Sequence, residues 1–61
     1  MLYVYGMRLR PFGVGSQPMD GLQEVKAADK AKTGYWSRLK YIRELTDKEL
    51  IEYELDFLGE E

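Results

Sequence analysis

Arg8 and Arg10 stand two residues apart, as do Arg38 and Lys40, and each pair follows closely on aromatic residues. On an extended strand a spacing of two puts both side chains on one face. Lys26 adds a fifth cation, and Tyr35 and Trp36 precede Arg38 by three and two residues. Cationic heads bind phosphate oxygens, and a ring stacked on a base contributes roughly 1–3 kcal/mol. Arg8, Arg10, Lys26, Tyr35, Trp36, Arg38 and Lys40 therefore form a candidate nucleic-acid-binding set. Tyr3, Tyr5 and Tyr41 offer further rings. Taken singly, each residue also fits an ordinary role, with tyrosines in a core and strand cations facing solvent, where they discourage edge pairing.

Carboxylates are the second group with chemical potential. The chain has no histidine and no cysteine. That excludes a Ser-His-Asp triad and a thiolate nucleophile and argues against a structural zinc site. Oxygen ligands for Mg2+ remain, and these support phosphodiester cleavage. Asp20 is the one acid beside the proline- and glycine-rich segment 11–18, in basic surroundings, and is the candidate catalytic and metal-binding residue. Asp20-Gly21 is equally an ordinary turn pair. On a helix Glu52 and Asp56, or Glu49 and Glu52, have the spacing of a metal pair, as well as that of a solvated face. Gly13-Val14-Gly15-Ser16 lacks the GxxxxGK[ST] pattern of a phosphate-binding loop, and its expected use is geometric.

Charge is divided sharply along the chain. Residues 1–43 carry eight cations against three acids, a balance of +5; residues 44–61 carry one cation against eight acids, a balance of −7. A basic half with aromatics suits nucleic acid, and an acidic half suits solubility or a basic partner. Sixty-one residues make a single domain that buries only about 60% of the surface its unfolded chain exposes, and without disulfides it must rely on a well-packed small core or on self-association. No apolar run approaches the roughly 18 residues of a membrane span, and no signal peptide is evident. A soluble protein of the cytoplasm is expected.

The elements that must position these groups follow from periodicity. Residues 2–10 alternate as a strand, with Tyr3, Tyr5, Met7 and Leu9 on one face and Leu2, Val4, Gly6, Arg8 and Arg10 on the other. Residues 19–26 form a weaker strand, which Gly21 suits to a bulge or an edge. Residues 27–34 lack apolar periodicity and are expected to be a mobile connection. Residues 35–42 alternate again, with Tyr35, Ser37, Leu39 and Tyr41 opposite Trp36, Arg38, Lys40 and Ile42. Thr46-Asp47-Lys48-Glu49 fits a capping box, with Leu45 and Leu50 as its hydrophobic staple. Two apolar rows, Leu50/Tyr53/Phe57 and Ile51/Leu55/Leu58, predict a helix that Gly59 stops. Asp56, Glu60 and Glu61 at its negative end are unfavourable to it. The expected fold is α+β: a small antiparallel β-meander of three to four strands followed by one C-terminal α-helix, a single β-β-β-α domain over residues 1–61. The two rows are broader than three strands can cover, so a homodimer or higher homo-oligomer is expected.

Tyr3-x-Tyr5-Gly6-Met7-Arg8-Leu9-Arg10, Gln17-Pro18, Gly34-Tyr35-Trp36 and Leu45-Thr46-x-x-Glu49-Leu50-x-x-Tyr53-Glu54-Leu55-Asp56 resemble small proteins of clostridial phages and mobile elements. The group includes a type II-A anti-CRISPR with a positive-cofactor-four-like fold. The resemblance spans nearly the whole chain and implies a twisted antiparallel sheet, assembly into oligomers, DNA as partner and nicking of supercoiled DNA. Nicking would antagonise Cas9 indirectly, because negative supercoiling helps tip R-loop formation. Residues 27–32 are longer than the matching loop. Two alternatives stay open: an acidic module that mimics DNA through the helix carboxylates, and a structural mobile-element protein without catalysis.

Overall fold

Alternating residues build a sheet in the computed structural model, which describes residues 1–9 and 17–61. Its strands are β1 (Tyr3–Met7), β2 (Leu22–Ala27), β3 (Ser37–Tyr41) and β4 (Leu55–Glu60), all antiparallel and ordered β2-β3-β1-β4. Two short helices, α1 (Lys30–Thr33) and α2 (Asp47–Glu52), complete the expected α+β class. Arg10 and the glycine loop 13–16 lie outside the described residues.

The expected faces of β1 and β3 hold through both strands. Tyr5, Met7, Leu39 and Tyr41 point into the core with Leu45 and Leu55, each no more than 4% exposed. Leu22, Leu50 and Tyr53 pack against this cluster. The Tyr5 and Tyr41 rings meet edge to face at 5.7 Å, an arrangement the ring quadrupoles favour. Both phenols bury a polar tip that must find a partner. The Leu45 amide donates to the Tyr5 hydroxyl at 2.9 Å, and the Tyr41 hydroxyl donates to the Pro18 carbonyl at 2.7 Å. Burial pushes both phenol pKa values up, so both groups stay neutral.

β2 is an edge strand with a register shift between Leu22 and Glu24, so the bulge and the edge position expected there both occur. Residues 27–34 differ from the mobile connection expected. The Asp29 side chain accepts from the Ala31 amide at 3.0 Å and caps α1, while Gly34 closes it at φ 82°. Only a residue without Cβ adopts that left-handed turn at no steric cost.

α2 begins as its sequence requires. The Thr46 hydroxyl accepts from the Glu49 amide at 3.2 Å, and the Glu49 carboxylate accepts from the Thr46 amide at 2.9 Å. The helix ends six residues later, well short of the stop expected at Gly59. Glu54 takes φ 52° and the chain turns into β4. The physical reason is already present in the sequence: carboxylates at a helix C-terminus oppose its dipole, whereas Leu55-Asp56-Phe57 alternates. Phe57 and Leu58 consequently lie on a strand, and Ile51 faces solvent on α2. The broad apolar helix face that suggested an oligomer does not form.

Arg43 grips Glu49 with two parallel hydrogen bonds of 2.9 and 2.8 Å. Its guanidinium, together with the Thr46 amide, holds the Glu49 carboxyl down to about 2 from an ordinary 4.5. A folded pKa below the unfolded value contributes stability that is complete above the unfolded pKa and fades as pH falls through the folded one. Glu49→Gln should therefore flatten the dependence of melting temperature on pH between 4.5 and about 2. Wild-type and variant curves with the same slope across that window would contradict the assignment.

Candidate nucleic-acid interface

The sheet surface opposite the core is built from two cross-strand rows. One runs Lys26, Arg38, Gly6, Asp56 across β2, β3, β1 and β4; the next runs Glu24, Lys40, Val4, Gly59. Val4 and Gly6 are buried at its centre. Gly6 is covered by Tyr35: a Cβ at this position would fall 2.6 Å from the Tyr35 Cγ. The alternation of residues 35–42 puts Tyr35 with Leu39, but Tyr35 precedes β3 and its ring crosses to the opposite surface, where glycine leaves room. Its hydroxyl donates to Asp56 Oδ2 at 2.9 Å, and this bond, followed by desolvation, raises the phenol pKa. Asp56 Oδ1 also lies 3.5 Å from Arg8 Nε.

Lys40 occupies the middle of the second row. Its ammonium lies 2.7 Å from Glu61 Oε1 and 3.3 Å from Glu24 Oε2. Backbone bonds of 2.8 Å in each direction between Leu2 and Glu61 bring that terminal acid to the row. Glu61 holds Lys40 in its charged form and raises its pKa, with Glu24 assisting; Lys40 in turn lowers that of Glu24. Glu24 also reaches Lys26 at 3.4 Å, and Glu61 reaches Arg38 at 4.0 Å.

Arg8, Lys26, Tyr35, Arg38 and Lys40 are thus brought to one surface, as the sequence spacing suggests. Trp36 adjoins Tyr35 and is 37% exposed. What spacing did not reveal is the set of acids sharing this surface: Glu24, Asp56 and Glu61. Asp56 and Glu61 were expected on or beyond the helix, and the Leu55-Asp56-Phe57 alternation is the signal that relocates them. Asp56 lies on β4, so Glu52 and Asp56 do not share a helix, while Glu49, held by Arg43, and Glu52 both stand on α2.

Asp20 stands apart from this group. Its side chain is 91% exposed, and its ion-pair partner is Arg43, 3.4 Å away. Arg43 is the same residue that grips Glu49 of α2. Among the described residues no group of three or more acidic side chains could hold a metal ion. The Asp20-Gly21 turn is present, with Gly21 at φ 79°.

The contact of Tyr35 with Gly6 yields a direct test. Gly6→Ala should lower stability by roughly 1–3 kcal/mol through overpacking, or about 4–8 °C in melting temperature per kcal/mol. In a Tyr35→Ala background the same change should cost little. Equal losses in both backgrounds, measured by thermal unfolding, would refute the contact.

No curated protein and no solved structure matches the chain. Residues 1–59 match the family model described as Defence against restriction A C-terminal. With nearly its whole length matched, the chain belongs to the Defence against restriction A C-terminal family, a phage-type, defence-related group.

Proposed function

We propose that this protein serves phage-type evasion of restriction by binding DNA through the polar surface of its sheet. The observation that carries the reading is the convergence of Arg8, Lys26, Arg38 and Lys40, from the ends and middles of three strands, on one surface around Tyr35. The three acids on that surface do not preclude it. Exposed ion pairs contribute little individually, and a phosphate that replaces a carboxylate exchanges one anion for another. Glu24, Asp56 and Glu61 would hold the cations in place until a polyanion competes for them. Binding should consequently be moderate and salt-dependent, with a slope of about −0.9 per phosphate on duplex DNA and −0.7 on single strands.

A protein on the duplex would obstruct any enzyme that must read or open it. Cas9 falls within that scope, because R-loop formation is a near-balanced exchange that a small added cost disturbs. Neutralising the acids with Glu24→Gln and Glu61→Gln should tighten DNA binding on the order of tenfold, and Arg38→Glu should abolish it. A mobility-shift titration at two salt concentrations reads both effects. DNA binding unaltered by all three changes would sink the proposal.

Binding alone accounts for this reading, and Asp20 is tested separately as a Mg2+-dependent nicking residue. Supercoiled plasmid incubated with purified protein and Mg2+ should remain supercoiled with wild type and with Asp20→Ala. If wild type nicks and the variant does not, the protein is a metal-dependent nickase with Asp20 at its centre. A second reading is favoured by α2, where Asp47 and Glu52 are exposed with no ion pair among the described residues and Ile51 precedes Glu52, 77% exposed. Such a surface suits docking on a basic nuclease as a DNA mimic. It requires that Glu52→Lys abolish protection from restriction while Arg38→Glu leaves it intact.

A further inference from the structure

We infer that the β2 edge is a self-complementary interface on which a second copy of this chain docks, strand against strand. Among the described residues β2 has β3 on one side and no strand on the other. Beyond its bulge, residues 24–27 pair regularly with residues 37–40, which leaves a straight run able to template another strand. Val25 lies opposite Leu39 on the core side yet is 47% exposed, whereas Glu24 and Lys26 lie on the polar side.

In an antiparallel pair directly opposed residues share a face, so only certain registers are available. A two-fold axis at Val25 sets Val25 against Val25 of the second copy. It sets Glu24 against Lys26 of the second copy, and Lys26 against its Glu24. Moving the axis to Lys26 opposes two lysines, and moving it to Glu24 opposes two glutamates; like charges directly opposite destabilise a sheet. An axis midway between residues would bring the apolar side of one copy onto the polar side of the other. Among registers centred on residues 24–26, charge and face together therefore select one, and it is isologous, as a two-fold dimer requires.

The opposite edge offers no such match. β4 carries Asp56 and Glu60, with Glu61 just beyond it and a register shift at its partner positions Val4 and Tyr5, so a second copy there would bring acids near acids. The polar surfaces of two copies joined at β2 would be continuous. The dimer itself does not depend on whether that surface binds DNA.

Sedimentation equilibrium provides the test. Wild type should associate to twice the 7.1 kDa chain mass. Lys26→Glu alone and Glu24→Lys alone should each be monomeric, and an equimolar mixture of the two should form a heterodimer, because every opposed pair is then of opposite sign. Far-UV circular dichroism checks that each variant is folded. If either variant fails to fold, amide exchange of wild type decides: protection at residues 24–27 should rise with protein concentration. A monomeric wild type, dimeric single variants, no association in the mixture, or concentration-dependent protection at residues 55–60 instead would each overturn the proposal.

Discussion

Gly6 has no side chain, and the Tyr35 ring lies where one would be. This vacancy is what the rest of the sheet depends on, because β1 is an inner strand that must be covered on both sides. Tyr5 and Met7 fill the core side. On the other side the described residues supply no second layer of helices, and the Tyr35 ring, folded back from just before β3, covers Gly6. Its hydroxyl then fastens β4 through Asp56, which holds Arg8 in turn. A substitution of one hydrogen by a methyl group would therefore be felt in three strands, since cores and close approaches yield little to added volume.

β4 also changes what the charge division means. Along the chain the cations and acids occupy separate halves, which suggests a basic sheet beside an acidic helix. In space the last strand lies against β1, and Asp56 and Glu61 fall among the cations of the first half. The polar surface mixes cations with acids that pair with them. Such pairs do little to hold a fold together, yet they fix long side chains near the positions from which they can meet another anion.

Much of this fold is legible in the sequence, and the parts that are not have physical causes. Period-two alternation identified which sides of β1 and β3 are buried, and the Thr46–Glu49 capping box located the start of α2 because both depend on adjacent residues alone. The end of α2 was harder. Residues 50–58 satisfy a helical repeat and a strand repeat at once, and the choice rests on β1 offering an open edge, a long-range fact. The opposed dipole was the local warning. Tyr35 was assigned to the core side by alternation, and only the room above Gly6, 29 residues earlier, redirects it. Asp20 was judged by its neighbours in sequence, whereas its partner Arg43 arrives from beyond β3.

The cations on the polar surface are not equivalent, and their exposure orders them. Lys40 is 20% exposed and sits between two carboxylates, so releasing it would strand both Glu24 and Glu61. Among the described residues Arg8 and Arg38 are about half exposed, each near one carboxylate, and Lys26 is 70% exposed with Glu24 at 3.4 Å. A polyanion approaching this surface would meet Lys26 and Arg38 first, adjacent in one row, and their departure from Glu24 and Glu61 would leave those acids to Lys40. Lys40 would then balance part of the charge those two acids carry while its neighbours met the polyanion. The same residue types in the same strand pattern thus differ in how tightly they are held, and the difference follows from where the last seven residues of the chain fold back.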